Sequence, residues 1–374
     1  MCRWYKTDEE RHIDRKDNQR SPSYFLRITK QEKNMRLPAE WERQSGVMLT
    51  WPDETTPWYE LEKVQECYGR IISAILRFEK VLLVTADIKA VTKRLTELGV
   101  YASKIQFQEC PINDTWARDH GGIAVYGDNG EKYLYDFVFN GWGLKFASNF
   151  DNGITKKIFF DRAFADEVMC VDMRPFVLEG GSIDTDGAGT LMATSECLCS
   201  DNRNEYLTQE EIEGELKQAF GLKRVLWVDN GSLSGDDTDS HIDILARFCN
   251  HETIAYLKSD NTEDPDYESL MNMEAQLQSF RTLDGKPYRL VPLPKPEQMF
   301  LDDYPLPASY ANFLIINGAV LVPGTGSELD GIVRARLQKV FQDREVIMID
   351  CRPLLSGHGG LHCVTMQFPE GWIE

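Results

Sequence analysis

Close to the C-terminus the chain reads Ser356-Gly-His-Gly-Gly-Leu-His-Cys363, followed by the apolar–polar run of residues 364–368. Glycines let a backbone approach a ligand closely and take φ > 0. Reactive groups commonly sit on loops carried by a rigid scaffold, so a cysteine behind such a loop is a candidate nucleophile. Read alone, the stretch describes a buried cysteine in a turn before a strand at least as well, since free cysteine is among the most buried residue types. Three further stretches change that balance. Asn113-Asp-Thr-Trp-Ala-Arg-Asp119-His-Gly-Gly122 places an aromatic, a base and two acids between two strand signals. Leu178-Glu179-Gly-Gly-Ser-Ile-Asp184-Thr-Asp186-Gly187 is an acid-glycine loop after a strand. Gly235-Asp-Asp-Thr-Asp-Ser-His241-Ile-Asp243 is a third. In an extended segment residues two apart share a face, which would project His241 and Asp243 into one site. Each stretch taken singly also fits an ordinary turn, where Asp, Gly and Ser concentrate for conformational reasons. The third lacks the spacing and terminal Glu of a calcium loop. Cys197-Leu-Cys199 has no partner pair for a zinc site and reads as structural.

Elements that position these loops follow from periodicity. Strands are predicted over residues 46–51, 81–85, 105–110, 123–126, 133–139, 225–228, 253–257, 288–291 and 345–350. Helices are predicted over 59–78, 88–98, 264–281 and 329–342. Thr208-Gln-Glu-Glu211 is a capping box opening a helix to about residue 220. The apolar run of residues 313–322 splits at Asn317-Gly318, a strong hairpin signal. The pattern is α/β with many short strands and hairpins, which does not fit a simple doubly wound sheet. No linker interrupts residues 35–374, so they are expected to form a single catalytic domain. Residues 1–34 are mostly charged and polar, and are expected to be a disordered or mis-started N-terminal extension.

The chain has 374 residues, 42% apolar and 27% charged, with a net charge of -19. Such acidity argues against nucleic acid or an anionic membrane as partner and suits a cationic substrate. No apolar run is long enough to span a bilayer. The charged start carries no signal-peptide region, and nine unpatterned cysteines read as reduced thiols, so a cytoplasmic protein is expected.

Together the four stretches resemble those of the guanidine-modifying enzymes of pentein fold, within them most closely the agmatine deiminases of the peptidyl-arginine deiminase-like family. Leu37-Pro-Ala-Glu-Trp41, Thr50-Trp-Pro52, Phe139-Asn-Gly-Trp142-Gly143, Asn202-Arg203-Asn204 and Leu306-Pro-Ala-Ser-Tyr310-Ala-Asn-Phe313 extend the resemblance over about residues 37–369. It implies a five-bladed α/β propeller of ββαβ modules around a pseudo-fivefold axis, with the site at its centre. It implies Cys363 as nucleophile, His241 as general acid and base, and Glu179 holding His241. Asp119 and Asp243 would grip the guanidinium, and Trp116 and Trp142 would wall the channel. The implied reaction turns agmatine and water into N-carbamoylputrescine and ammonia, in putrescine and polyamine biosynthesis. No metal or other cofactor is implied, and a homo-oligomer is left open. The sequence departs from the family's pattern at Asp184, where a histidine is common, and at Gly-His-Gly-Gly-Leu361, where Gly-Gly-Gly-Asn-Ile is common. Both differences are expected at the pocket rim. The rival readings are an arginine or peptidyl-arginine deiminase, a non-catalytic polyamine- or guanidine-binding protein, and a metal-dependent hydrolase built on Asp236, Asp237, Asp239 and Asp243.

Overall fold

The computed structural model describes residues 34–373 together with the strand Phe25–Leu26. Apart from that strand and Asn34, the N-terminal extension expected from the sequence lies outside the described residues. Phe25–Leu26 pairs in parallel with the long strand Val168–Val177.

One order of elements recurs in five sheets. Two antiparallel strands come first, a helix crosses over, and the next strand returns parallel to the second. Parallel neighbours require such a crossover, and a helix supplies it. Ile123–Tyr126 pairs with Lys132–Val138, and Ile154–Phe160 leads to Val168–Val177. Ile183–Thr185 pairs with Thr190–Thr194, and Gln209–Phe220 leads to Arg224–Val228. Ala246–Asn250 pairs with Thr253–Lys258, and Tyr267–Ser279 leads to Arg289–Pro294. Leu314–Ile316 pairs with Ala319–Gly324, and Leu329–Val340 leads to Glu345–Asp350. The fifth sheet joins the two ends of the described chain. Met366–Pro369 pairs antiparallel with Gln44–Thr50, Leu61–Leu76 leads to Lys80–Thr85, and Ile88–Glu97 adds Ile105–Glu109.

Local chemistry accounts for these elements. Thr208 accepts from the Glu211 backbone N–H while the Glu211 side chain accepts from the Thr208 N–H, so orphan donors at the helix start are satisfied reciprocally. The helix stops at Gly221, which takes the left-handed conformation with φ 66°. Gly318, at φ 73°, makes the tight hairpin turn anticipated at Asn317-Gly318. Leu61–Leu76 buries Val64, Tyr68, Ile71, Ile72 and Ile75 against its sheet. Burying one such side chain contributes about 1.5–3 kcal/mol, so each helix is held to its strands mainly by this face. No described helix is long and apolar enough to cross a membrane.

Candidate active site

In each of the five sheets the first strand is preceded by a short loop, and these loops meet. The turn Ala117–His120 before Ile123–Tyr126 carries Asp119. Glu179 and the turn Gly180–Ser182 precede Ile183–Thr185. His241 and the turn Ile242–Ile244, with Asp243, precede Ala246–Asn250. Asn312 lies just before Leu314–Ile316, and Cys363 just before Met366–Pro369. Hydrogen bonds stitch neighbouring loops together. Gly181 N–H donates to Asp119 Oδ1 at 3.1 Å, and the Asn312 amide donates to Cys363 Sγ at 3.2 Å. Asn312 Oδ1 in turn accepts from His362 N–H at 2.9 Å, and Arg118 N–H donates to the Cys363 carbonyl at 3.1 Å.

Gly181 is demanded by this convergence. A Cβ there would lie 2.6 Å from His241 Nδ1 and 2.8 Å from Asp119 Oδ1. Any other residue would push the acid and the imidazole apart. Gly359 answers the same need on the cysteine loop, since a Cβ would meet the Trp116 ring at 2.2 Å.

The loops enclose a cavity of about 360 Å³. Asp119, His241, Asp243 and Cys363 line its floor, Trp116 and Trp142 its wall, and Asp114, Asp236, Asp237 and His358 are among its other lining residues. Glu179 does not line it. It lies fully buried behind His241, and its carboxylate, the Cys197 thiol and the His241 ring all come within 4.8 Å of one another. Those three donors are of a zinc-binding type. However, Arg203 Nε donates to both Glu179 oxygens at 3.0 Å, so a guanidinium already holds the lone pairs a metal would need. Arg203 is anchored further on Asp239 at 2.6 Å and on the Thr238 carbonyl at 2.8 Å.

Trp142 is held in an uncommon conformation. Residues 141–144 all have positive φ, at 71°, 54°, 79° and 66°. Leu144 N–H donates to the Asn140 carbonyl and Lys145 N–H to the Gly141 carbonyl, which makes one left-handed helical turn. Such a turn costs roughly 1–2 kcal/mol for each non-glycine residue, and two of the four positions are glycine. The turn aims Trp142 Nε1–H at Asp119 Oδ2, 2.9 Å away. Trp58, at 5.4 Å from Trp116 between ring centroids, completes an aromatic wall. Aromatic faces of this kind attract cations.

The electrostatics favour a bound cation. Burial pushes the Cys363 thiol well above its ordinary range, and the Asp243 and Asp119 carboxylates add to this. Burial raises Asp119 to about 6, with Asp243 and Glu179 contributing against the opposing pull of His241. Burial also disfavours charge on His241, but Asp119, Cys197 and Glu179 outweigh it and hold the ring protonated well above its usual range. For Asp243 burial is outweighed by the His362 N–H and charge and by His241 and Arg247, so its carboxyl lies below the usual value. Both His241 ring nitrogens and Asp243 Oδ1 are buried without a hydrogen-bond partner, although His241 Nδ1 is ion-paired with Asp119 Oδ1 at 3.7 Å.

All seven residues anticipated from the sequence therefore surround one space, six lining it and Glu179 behind. Two expectations need correction. His241 and Asp243 share the cavity through the turn Ile242–Ile244, not through an extended segment. Asp184 is not at the pocket rim: it is buried on the far side of the site, paired with Arg247 Nε at 3.2 Å and accepting from Phe248 N–H. His358 does line the cavity. Sequence reasoning overlooked Asn312, Arg203 and Trp58. The first two stood inside stretches already singled out, and a buried Arg or Asn is a polar group that must be satisfied by something equally buried.

Residues 36–369 match the model of the Porphyromonas-type peptidyl-arginine deiminase family. An agmatine deiminase from Pseudomonas syringae pv. tomato is 32% identical over 369 residues, covering 92% of this chain and 98% of the relative. A Porphyromonas gingivalis protein provisionally called an arginine deiminase is 48% identical, with a TM-score of 0.87 over 91% of this chain and 100% of that one. A cysteine-to-serine variant of C. jejuni agmatine deiminase, solved with substrate bound, is 34% identical, with a TM-score of 0.85 over 92% of this chain and 99% of that one.

Proposed function

Because the chain belongs to the Porphyromonas-type peptidyl-arginine deiminase family, we propose that it is a hydrolase converting agmatine and water to N-carbamoylputrescine and ammonia through a covalent intermediate on Cys363. The observation that carries this reading is the floor of the cavity, where two buried carboxylates, Asp119 and Asp243, flank a buried thiol. A guanidinium is planar and presents N–H forks that match carboxylates two bonds at a time. Its central carbon is a poor electrophile, and two fixed carboxylates position it over the sulfur.

In this mechanism the substrate's charge activates the nucleophile. Only the thiolate attacks, and the empty site holds Cys363 as thiol. A guanidinium beside Sγ offsets the two carboxylates that raise the thiol, so the sulfur releases its proton to solvent as substrate binds. The S–C bond forms to give a tetrahedral adduct. His241, charged in the empty site, gives its proton to the leaving nitrogen as the C–N bond breaks, releasing ammonia. The now neutral imidazole takes a proton from water, the oxygen attacks the thiouronium carbon, and the S–C bond breaks as the hydroxyl proton passes to the sulfur, leaving the carbamoyl product and the thiol. Glu179 and Asp119 stabilise the imidazolium through charge at short range, and Arg203 fixes Glu179. A positioned acid-base group of this kind typically contributes roughly 10²–10⁴-fold.

The lining favours agmatine over free arginine. Asp114, Asp236 and Asp237 are among the lining residues, and no lysine or arginine among the described residues lines the cavity. An ammonium tail suits that surface, whereas an α-carboxylate would face acids without a cation. The five repeated sheets are read here as blades of a propeller about a pseudo-fivefold axis through the cavity, because the equivalent loop of each repeat supplies a site residue.

The test is ammonia release by the purified protein, offered agmatine, free arginine and an arginine peptide side by side with chelator present. Release from agmatine is expected. Release only from arginine or the peptide would overturn the substrate and keep the chemistry, and release from none would return the protein to the class of guanidine-binding proteins.

A further inference from the structure

The motif Leu37-Pro-Ala-Glu-Trp41 has no place in the mechanism above, and neither does His362, whose side chain turns away from the cavity. The structure ties them together. His362 is 2% exposed, and both its ring nitrogens face carboxylate oxygens. Nδ1 lies 2.7 Å from Asp243 Oδ2, and Nε2 lies 2.8 Å from Glu40 Oε2. Glu40 is itself fixed from three sides. Its Oε1 accepts from Ile315 N–H at 2.7 Å, its Oε2 accepts from Arg247 Nη2 at 2.8 Å, and Arg118 Nη2 stands 3.7 Å away. Arg247 donates onward to Asp184 and to the Phe313 carbonyl.

The donor count settles the state of the ring. Carboxylates only accept, and a neutral imidazole has a single N–H. A neutral ring would hold a lone pair against one of the two carboxylates, in a buried site. On balance, burial, Arg118 and Arg247 lower His362 below its ordinary value against Glu40 and Asp243, but Glu40 and Asp243 are both held ionised, and the paired contacts to them favour the charged ring. With both carboxyls ionised, two short contacts to them are met only by two ring protons.

The consequence falls on Asp243. Its Oδ2 is occupied by His362, and its Oδ1 is buried with no protein partner. The Cys363 thiol approaches the same Oδ2 at 3.8 Å, so one oxygen of the carboxylate is fixed and the other is left without a hydrogen bond. We propose that His362, braced by Glu40, is a positioning residue: a buried imidazolium that fills one oxygen of Asp243, keeps that carboxylate ionised beside Asp119 and Cys363, and leaves its other oxygen to the guanidinium. This rests on the reading that Asp243 grips a guanidinium. It also gives the N-terminal motif a role, since Glu40 supplies the counter-charge behind the ring. The charged and titratable groups around His362 are Glu40 from the loop before Gln44–Thr50, Arg118 and Asp119 from the Ala117–His120 turn, and Asp243, Arg247 and Cys363 from the loops and strand beside it.

Three variants and one spectrum test the proposal. His362→Ala removes the donor to Asp243, and kcat/KM for agmatine should fall roughly 10- to 100-fold, the worth of a hydrogen bond to a charged group, with the loss mainly in KM. Its acid limb should move to higher pH, because Asp243 without the imidazolium is harder to ionise. His362→Asn returns an N–H near the Nδ1 position and should restore most of the activity. Glu40→Gln should shift the acid limb the same way by less. A His362→Ala protein with a native circular-dichroism spectrum and an activity loss that is constant from about pH 5 to about pH 9 would reduce His362 to a structural role and overturn the proposal. So would unchanged kcat/KM. Should the variants not fold, a ¹⁵N spectrum of the wild-type protein labelled at its six histidines decides. It is expected to show His362 with both nitrogens protonated at neutral pH, and a neutral tautomer would overturn the proposal. That spectrum needs no substrate, so it stands even if no guanidine is turned over and the functional reading fails.

Discussion

Asp119→Asn separates two roles of one carboxylate, and pH tells them apart. The side chain is 4% exposed and its carboxyl stands at about 6 against an ordinary 3.8. Burial is the main cause, followed by the nearby charges of Asp243 and Glu179, with His241 opposing. Its folded-state value is raised above the unfolded one. Between about pH 4 and about pH 6 the folded wild type therefore binds more protons than the unfolded chain, and stability falls as pH rises through that window. A shift of about two units corresponds to about 3 kcal/mol, lost in full above about pH 6. Asparagine does not titrate. Its amide places a donor against either Trp142 Nε1–H or Gly181 N–H, a penalty that is the same at every pH. The melting temperature of the variant minus that of the wild type should thus climb from about pH 4 to about pH 6 and then level off. At roughly 2 cal/mol/K per residue of unfolding entropy, about 3 kcal/mol in a chain of this length is a climb of about 4 °C. Activity should move the other way. Losing one charged grip costs about 3 kcal/mol of transition-state binding, or about 100-fold in kcat/KM. The wild-type acid limb near about pH 6 should be lost or displaced in the variant. Differential scanning fluorimetry across pH and initial rates with agmatine are sufficient assays. A melting-temperature difference that is flat with pH, together with a wild-type kcat/KM flat down to about pH 5, would refute the electrostatic account of Asp119.

Other changes test neighbouring parts of the site. Cys363→Ser should leave the melting temperature within a few degrees of wild type while turnover falls more than about 1000-fold, since an alcohol is a far weaker nucleophile than a thiolate; retained turnover would remove Cys363 from the chemistry. Gly181→Ala puts a methyl group 2.6 Å from His241 Nδ1, and kcat should drop at least about 100-fold, because small misplacements of reacting groups are that costly. An active Gly181→Ala enzyme would show that the convergence of loops is looser than the distances imply. Trp142→Phe keeps a ring and deletes the N–H on Asp119 Oδ2, so kcat/KM should fall about 10-fold and the acid limb should rise; an unmoved limb would deny that the indole helps ionise Asp119.

Much of the fold was legible because buried strands write themselves as apolar runs. The predicted strand at 81–85, the hairpin at Asn317-Gly318 and the capped helix after Thr208 correspond to Lys80–Thr85, the Leu314–Ile316/Ala319–Gly324 pair and Gln209–Phe220. Other elements left weaker traces. Ile183–Thr185 has three residues, too few for a period to show. Val168–Val177 contains Pro175 near its end, which blurs the bounds of the strand signal before Leu178 although the backbone continues. The candidate residues were found through loop motifs rather than elements. Their partners were harder, because Glu40, Arg247 and Asp184 meet His362 from far-separated parts of the chain. A buried ionic network has no sequence period, only the constraint that each member needs another.

The repeat itself was invisible for a related reason. Five loops occupy equivalent positions, two to four residues before the first strand of each sheet. At those positions stand Asp119, Glu179, Asp243, Asn312 and Cys363, no two neighbouring loops offering the same side chain. Self-similarity is what reveals a repeat in sequence, and it is weakest where the chemistry lies, because a planar cation with one reactive carbon needs different groups on each side. In the proposed mechanism two acids grip it, a thiol attacks it, an amide steadies the thiol, and a buried glutamate holds the imidazole's charge. Equivalent backbone positions around one point allow each group to be changed separately while the distances between them stay fixed by the sheets behind. The glycines beside them, Gly181 and Gly359, are the cost of bringing five loops so close, and substituting either should disturb the site more than the fold.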